Sequence, residues 1–130
     1  MVAELQVEII GGDEFRAMLK GKNRKILQQV DMEVFRQAIF LSGEVMASIA
    51  GKREEKKSWK TGHFQRSVTP EKSGRMQATV STAVPYSVYL EYGTSKIAPR
   101  YHFRNSLARN KDVIQREISK RIKAVVEGKS

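Results

Sequence analysis

At 130 residues, with 40% hydrophobic and 29% charged residues, the chain is long enough for one domain with its own core and has the composition of an ordinary globular protein. The absence of cysteine excludes a disulfide framework and thiol chemistry, and no apolar run reaches the roughly 18 residues of a membrane helix. The net charge of +10 is uneven, because residues 1–65 carry 11 basic against 9 acidic side chains (+2) and residues 66–130 carry 13 against 5 (+8). The N-terminus shows no signal-peptide pattern, so we expect a protein made and kept in a cytoplasm or assembled there into something larger.

The first half of the chain predicts a strand, a short helix and a long helix. Apolar residues at positions 5, 7 and 9 alternate with polar ones, which is the period of a half-buried strand. After Gly11 and Gly12, a short helix is expected with apolar residues at positions 15, 18 and 19 on one face. Residues 22–50 predict a long helix, because apolar residues repeat at steps of three and four. That stripe consists of Ile26, Val30, Val34, Ala38, Leu41, Val45 and Ile49.

The second half predicts a loop, a hairpin and a terminal helix. Residues 51–62 have no core pattern and are expected to form an exposed, charged loop. Two alternating runs, 64–68 and 76–82, predict antiparallel strands joined by a turn at 69–74. Residues 86–92 fit either a short helix or a strand, and a loop follows to residue 100. Apolar residues then step by four and three in a terminal helix, preceded by a turn with Phe103 and Leu107; the helical set is Ile114, Ile118, Ile122 and Val125.

The order of these elements predicts the fold class. We expect an α+β domain that spans residues 1–130, in which an antiparallel sheet of about three to five strands packs against the long helix of the N-terminal half. The C-terminal helix is expected to cover the same sheet. The chain shows no internal repeat and no low-complexity tract.

Catalytic chemistry finds little support in the residues. The only histidines, His63 and His102, lie in no HxH or HExxH motif, and a metal would need both of them with a carboxylate such as Glu91. The chain also lacks a GxSxG turn and a glycine-rich phosphate-binding motif. We therefore expect no enzyme, cofactor or metal site. Both histidines are expected to be surface or hairpin residues, and the carboxylates of Glu54 and Glu55 are expected to be solvated. A hydrolase built on His63, His102 and Glu91 is the weakest alternative.

Nucleic-acid binding is the stronger alternative, and it depends on the loop after the long helix. Basic side chains around an aromatic ring can hold phosphates while a base stacks on the ring. Glu54 and Glu55 dilute the charge of this loop, and no RNP or helix-turn-helix pattern is present. The candidate contacts are Lys52, Arg53, Lys56, Lys57, Trp59 and Lys60.

Residues 85–107 hold all four tyrosines of the chain and one of its five phenylalanines. Aromatic side chains at this density belong to a core edge or to a contact surface, and both interpretations stay open here. Gly93 indicates a backbone position that a side chain would not fit. We expect Glu91 and Thr94 to hold the adjoining loop through hydrogen bonds to backbone groups.

Three segments occur in a distinctive order: TGHFQRSV at 61–68, PYSVYLEYGT at 85–94 and PRYHFRNSL at 99–107. The set resembles the tail-completion, or head-tail joining, family of long-tailed bacteriophages and prophages, whose members show TGxLxxS, PYAxYxEFGT and a P-x-x-FLRPAL-like segment. The resemblance covers roughly residues 25–126. It departs from the family pattern at Phe64 in place of Leu and Tyr92 in place of Phe. Asn105 replaces Pro, which puts the start of the final helix in doubt.

The resemblance implies a structural role. Similar proteins form a homo-oligomeric ring at the neck of the virion, between the head connector or stopper and the tail tube or tail terminator, and DNA passes through it. They assemble in the host cytoplasm without a membrane partner. Because ring contacts are head-to-tail, the basic side of one subunit and the acidic residues of the N-terminal half are one candidate pairing. Candidate interface residues are Tyr86, Tyr89, Glu91, Tyr92, Gly93, Thr94, Arg100, Phe103 and Arg104.

Overall fold

A computed structural model of the chain describes residues 5–10, 21–22, 24–58, 62–74 and 77–128, with the side chains of 5–10 left out. The predicted short helix at positions 15–19 lies outside the described residues, and so do Trp59 and Lys60. The elements in chain order are β1 (Leu5–Ile10), α1 (Arg24–Ile49), α2 (His63–Ser67), β2 (Thr69–Gly74), β3 (Gln77–Thr82), α3 (Ser87–Tyr92) and α4 (His102–Val126).

The strands form an antiparallel sheet in the order β1-β3-β2. Val7 is opposite Val80 in one ladder, and Glu71 is opposite Thr79 in the other. The central strand β3 is buried from Ala78 to Thr82. An α+β fold with an antiparallel sheet, a long helix in the N-terminal half and a C-terminal helix is therefore confirmed. The described residues give three strands, the lower limit of the expected number.

The core lies where α1 packs against β3, β2 and α4. The predicted apolar stripe of α1 supplies six buried side chains, which are Val30, Val34, Ala38, Leu41, Val45 and Ile49. Burial of each Val, Leu or Ile among them is worth roughly 1.5–3 kcal/mol relative to exposure. The matching stripe of α4 is buried as well, at Ile114, Ile118, Ile122 and Val125. Within the described ranges, no helix combines the length and apolar character needed to cross a membrane.

The prediction of a strand at residues 64–68 is wrong, because residues 63–67 form the single helical turn α2. Phe64 and Val68 are both buried while Arg66 is exposed. A spacing of four between the two buried residues satisfies the helical period as well as the period of two, so the short pattern did not separate the alternatives.

The predicted turn at residues 69–74 is also wrong, because these residues form strand β2. The strand is at the edge of the sheet and most of its residues are exposed, so its sequence TPEKSG has no apolar alternation. Proline is tolerated at an edge, and lysine there discourages pairing with another chain, which accounts for Pro70 and Lys72.

The ambiguous segment at residues 86–92 is helical, since α3 covers Ser87–Tyr92. The terminal helix begins at His102, so Phe103 and Leu107 belong to α4 itself rather than to a preceding turn. Tyr101 directly precedes the helix with φ 53°, a left-handed conformation that is uncommon for a residue other than glycine. A sharp change of chain direction therefore separates the loop from α4.

Candidate functional site

The three segments that carry the family resemblance meet at one buried ring. Phe64 of the first segment is 2% exposed. Its ring lies 5.9 Å from the ring of Tyr86 in the second segment and 6.1 Å from the ring of His102 in the third, edge to face in both cases. Segments separated by up to 38 positions therefore pack together into one local structure.

Three tyrosines form a surface that we call the tyrosine ridge: Tyr86, which directly precedes α3, and Tyr89 and Tyr92 within it. Their exposed fractions are 43%, 58% and 63%. Their spacing of three places them along one side of the helix, and the opposite side buries Ser87 and Glu91. Of the two interpretations left open by the sequence, the exposure of these rings favours a contact surface over core packing.

Glu91 fixes α3 to the start of α4. Its side chain is buried, and its Oε1 and Oε2 accept hydrogen bonds from the backbone N–H groups of Phe103 and Arg104, each at 3.0 Å. Burial raises the pKa of the Glu91 carboxyl, while these two backbone bonds and the charge of Arg104 oppose that rise. The carboxylate satisfies N–H groups that a helix leaves unpaired in its first turn.

Two of the predicted interface residues are therefore interior rather than surface groups. Glu91 is 2% exposed and holds backbone groups, as the sequence indicated, and Phe103 is 2% exposed in the core. Both support the ridge from below and neither is available to a partner. Burial of Glu91 therefore argues against a charge pair between this carboxylate and a neighbouring subunit.

The loop after α3 folds back on the helix through backbone contacts. Thr94 Oγ1 accepts hydrogen bonds from the N–H groups of Lys96 and Ile97, both at 3.1 Å. The N–H of Arg100 donates to the carbonyl of Leu90 at 2.9 Å. These bonds confirm that Thr94 binds backbone groups, as predicted, and they hold the loop in a fixed position against α3.

Gly93 is the point at which this loop leaves the helix. It adopts φ +78°, and a Cβ atom there would lie 2.7 Å from the carbonyl oxygen of Ile97 and 2.8 Å from Pro99. Both neighbours are backbone or ring atoms of a closed loop, so neither moves cheaply. The sequence-based inference that no side chain fits here is confirmed.

We expect Gly93→Ala to lower the free energy of unfolding by about 2 kcal/mol, because φ 78° with ψ 174° is a conformation essentially restricted to glycine and because the added Cβ overlaps the loop. Gly21→Ala is the matched control, since Gly21 also has φ +78° but no atom lies within 4 Å of its added Cβ. The control gives the cost of a side chain at positive φ without steric overlap, for which about 1 kcal/mol is expected. Urea unfolding monitored by circular dichroism measures both, and equal losses would contradict the predicted overlap.

Two arginines lie beside the ridge with defined contacts. Arg100 Nη1 donates to the carbonyl of Lys57 at 2.9 Å and to Ser58 Oγ at 2.7 Å. The guanidinium carbon of Arg104 lies 3.3 Å from the ring centre of Tyr101, a cation–π contact. The positive charge next to the ridge is therefore held in place rather than carried on free side chains.

A buried polar network lies behind this surface, centred on His102. The imidazole is 0% exposed, with Nδ1 2.8 Å from Ser48 Oγ and Nε2 2.6 Å from Ser58 Oγ. Ser48 donates its only proton to Glu55 Oε1 at 2.6 Å, so it accepts from a protonated Nδ1. Nε2 of the neutral ring is then the acceptor for the Ser58 hydroxyl. The expectation that His102 is a surface or hairpin residue is wrong.

Glu55 ends this chain of hydrogen bonds, and the expectation that it is solvated is also wrong. Its carboxylate accepts from Arg109 Nη1 at 2.6 Å, Arg109 Nη2 at 2.9 Å and Asn105 Nδ2 at 3.2 Å. Burial by itself would raise the pKa of Glu55, but the hydrogen bonds from Arg109, Ser48 and Asn105 and the charge of Arg109 lower it from 4.5 to about 2. The network joins the loop at 51–58 to α1 and α4.

The connectivity Ser58–His102–Ser48–Glu55 is similar to that of a nucleophile, base and carboxylate, but its chemistry differs. Burial lowers the pKa of His102 from 6.5 to about 4, with Glu55 opposing that shift and Arg100 adding to it. The imidazole is therefore a weak base, and the two serines that it contacts already have further hydrogen-bond partners within the chain. We assign the network a structural role.

The predicted hydrolase residues do not share a site. His63 is exposed on α2, Glu91 bonds the backbone of α4, and His102 bonds two serines. Among the residues that the structure describes, no group of three histidine or acidic side chains is arranged to hold a metal ion.

The basic loop keeps most of its charge at the surface. Lys52, Arg53, Lys56 and Lys57 are exposed, although Arg53 pairs with Glu44 at 2.5 Å. Because Glu55 turns inward, it does not dilute the solvent-facing charge as the sequence indicated. The two remaining candidate contacts, Trp59 and Lys60, lie outside the described residues.

Protein-family models, curated proteins and solved structures were each compared with the chain, and none matches it. The resemblance of residues 61–107 to the head-tail joining family therefore stays a prediction. The function proposed below depends on that pattern and on the chain's own surface and contacts.

Proposed function

We propose that the chain is a structural component of a bacteriophage or prophage virion that completes the tail and joins it to the head connector. It acts by shape as a subunit of a ring through which DNA passes, and it carries no catalytic residue. The tyrosine ridge is the observation that carries the proposal. Three exposed rings on a short, fixed helix have the composition and placement of a protein contact, where Tyr and Arg provide much of the binding energy.

The contacts that hold α3 in position support a binding role for the tyrosine ridge. Glu91 holds α3 to α4, and Gly93 closes the loop that follows. A surface that is already rigid loses little conformational entropy on association, so its contacts translate more fully into affinity. Mobile tyrosines would not give this advantage.

A second exposed apolar strip supports membership in a ring. Met32, Ile39 and Phe40 of α1 are 53%, 50% and 41% exposed, and spacings of seven and eight place them on one side of the helix. A ring subunit at a junction needs one surface for its neighbours in the ring and another for the adjoining protein. The α1 strip and the tyrosine ridge are two separate surfaces of this kind.

The proposal places the protein in the virion neck, after assembly in the host cytoplasm. Its partners are further copies of itself, the head connector or stopper, and the tail-tube or tail-terminator protein. No membrane partner is proposed. DNA is a passing contact within the ring.

Electron microscopy of a lysate from the parent phage with this gene deleted tests the proposal. Filled heads beside separate tails are expected, and a plasmid-borne copy of the gene should restore complete virions. Normal virions from the deletion would overturn the assignment.

The inward turn of Glu55 favours a second candidate, a small basic nucleic-acid-binding protein that uses the loop at 51–60. Three lysines there are exposed: Lys52, Lys56 and Lys57. Such binding should fall steeply between about 50 and 200 mM salt, and replacing the three lysines with alanine should reduce the salt slope. Fluorescence anisotropy with labelled DNA and RNA measures both effects. An affinity that depends neither on salt nor on the three lysine substitutions would exclude the loop as the binding site.

A further inference from the structure

The charge around the tyrosine ridge is unusually one-sided. From residue 86 to residue 107, the part of the chain that contains the ridge, the sequence has three basic residues, Lys96, Arg100 and Arg104, and a single carboxylate, Glu91. That carboxylate is 2% exposed and bonded to two backbone N–H groups. The surface built by this part of the chain therefore presents aromatic rings and cations without an opposing exposed acid.

We propose that the tyrosine ridge docks into an apolar groove on a partner protein, and that carboxylates line the rim of that groove. The inference names the chemistry of the partner for the contact surface proposed above. It rests on the proposed function only for the place of that partner in the particle.

The shape of the ridge favours a groove. Tyr86, Tyr89 and Tyr92 project from the outer side of a helix whose inner side buries Ser87 and Glu91. Anchors that repeat along one helical face fit into a hydrophobic groove, as in other helix-in-groove complexes. Tyrosine suits this position because its ring is apolar while its hydroxyl can bond a polar group at the rim.

The cations next to the ridge favour an acidic rim. Arg104 is exposed in the first turn of α4, where its own backbone N–H donates to Glu91 Oε2. Lys96 is exposed in the loop that folds back on α3, and Arg100 anchors the end of that loop. Complementary charge at the edge of an interface steers association and rejects partners of like charge.

A nucleic acid fits this surface less well than a protein does. Stacking of bases on the exposed rings of Tyr89 and Tyr92 would also need cations free to hold the phosphates, but Arg104 already lies over the ring of Tyr101. Arg100 Nη1 is already used in two hydrogen bonds within the chain. These guanidinium groups therefore contribute positive electrostatic potential rather than free N–H donors for bidentate binding of phosphates.

A second copy of the chain also fits the ridge less well. The chain carries a net charge of +10, and the apolar strip of α1 has the exposed Arg36 among Met32, Ile39 and Phe40. Bringing that strip to the ridge would place like charges together. Contacts between ring neighbours are then left to surfaces other than the ridge.

Two synthetic helix-hairpin peptides with the same leucine-lined groove between their helices, one carrying glutamates and the other lysines along the rim of the groove, serve as probes for the full-length protein. We expect the glutamate peptide to bind in fluorescence anisotropy and the lysine peptide not to bind. Tyr89→Ala should weaken the affinity at least about tenfold, as for a central aromatic anchor. Val113→Ala is the control, because Val113 is a 40% exposed apolar side chain on α4, and it should leave the affinity unchanged.

Equal binding of both peptides, or binding of the glutamate peptide that survives Tyr89→Ala, would overturn the proposal. Tyr89-dependent binding of oligothymidylate in place of the peptide would replace it with a nucleic-acid site. Self-association lost on Tyr89→Ala in sedimentation would replace it with a contact between copies. Circular dichroism of the Tyr89 variant confirms that it is folded.

Failure here is distinguishable from failure of the proposed function. If deletion of the gene blocks head-tail joining while the Tyr89→Ala gene restores it fully, the docking is overturned and the neck role stands. If the deletion gives normal virions while the peptide result holds, the neck role is overturned and the acidic groove stands.

Discussion

Replacing Glu55 with alanine is expected to lower the free energy of unfolding by about 3 kcal/mol. The carboxylate accepts hydrogen bonds from Ser48, Asn105 and Arg109; its removal takes the acceptor from the buried Ser48 hydroxyl and the ion pair from the partly exposed Arg109. Ser48 is 0% exposed, so water does not replace the lost bond. Urea unfolding at neutral pH, monitored by circular dichroism, measures the loss.

Glu54→Ala is the matched control for this prediction. Glu54 is the preceding residue of the same loop and is exposed, so its removal is expected to change stability by no more than about 0.5 kcal/mol. Similar losses for the two variants would show that the loop needs negative charge in general rather than the buried network. A double-mutant cycle with Arg109→Ala isolates the coupling between Glu55 and the arginine.

The pH dependence of the free energy of unfolding below pH 4.5 gives an independent test of the contribution of Glu55. Its pKa is lowered from 4.5 to about 2 in the folded protein, so the unfolded chain binds the proton more tightly. The contribution of Glu55 is therefore present above pH 4.5 and is lost as the pH falls toward 2. The difference in stability between the wild type and Glu55→Ala should shrink over that interval, and a constant difference would contradict the assignment.

The network gives the basic loop a defined position. Ser58 N–H donates to the carbonyl of Ile49 at 2.9 Å, and Lys52 N–H donates to that of Ala47 at 2.9 Å. Glu55 and Ser58 then hold the middle and end of the described loop to α4 through Arg109 and His102. The exposed lysines therefore lie on a loop that is held by several hydrogen bonds, so their positions are defined whether the partner is a protein or a nucleic acid.

The long elements of the fold could be predicted because their apolar residues repeat over many turns. The α1 stripe extends from Val30 to Ile49, and the α4 stripe from Ile114 to Val125. Each contains several buried residues at helical spacing, so one exception does not change the period. Burial between facing helices then follows from the need to cover both stripes.

The short elements could not be predicted for the opposite reason. In α2 only Phe64 and Val68 are informative, and their spacing of four fits two periods. In β2 the side chains are mostly exposed, because the strand lies at the edge of the sheet, so its pairing with β3 leaves no apolar pattern. Backbone hydrogen bonding holds that strand, and a sequence does not display it.

The ridge could be predicted in composition but not in exposure. The aromatic content of residues 85–107 predicts either a contact surface or a core edge. Only the burial of Ser87 and Glu91 shows which side of α3 faces outward. The His102 network was missed because Ser48 and His102 are 54 positions apart. One signal was available, since Ser48 follows Val45 by three on the apolar side of α1, and a polar residue there needs a buried partner.

The stability of the protein is expected to fall by about 3 kcal/mol between pH 7 and pH 4 because of His102 alone. Its pKa is lowered from 6.5 to about 4 by burial, so in that interval the unfolded chain takes up a proton that the folded chain does not. Stability is therefore highest above pH 6.5 and is lost as the pH falls toward 4. Protonation would also turn Nε2 into a donor that faces the donating hydroxyl of Ser58.

His102→Gln separates this effect from other titrating groups. The glutamine amide can donate to Ser48 and accept from Ser58, but it has no proton to gain in this range. The contribution of Glu91, whose raised pKa gives the opposite slope, is present in both proteins and cancels in the difference, as does most of that of Glu55. Urea unfolding at a series of pH values should show the wild type approaching or crossing below the variant as the pH falls to 4. Parallel curves would mean that the folded environment does not disfavour the imidazolium, and the buried hydrogen-bond chain described above would be wrong.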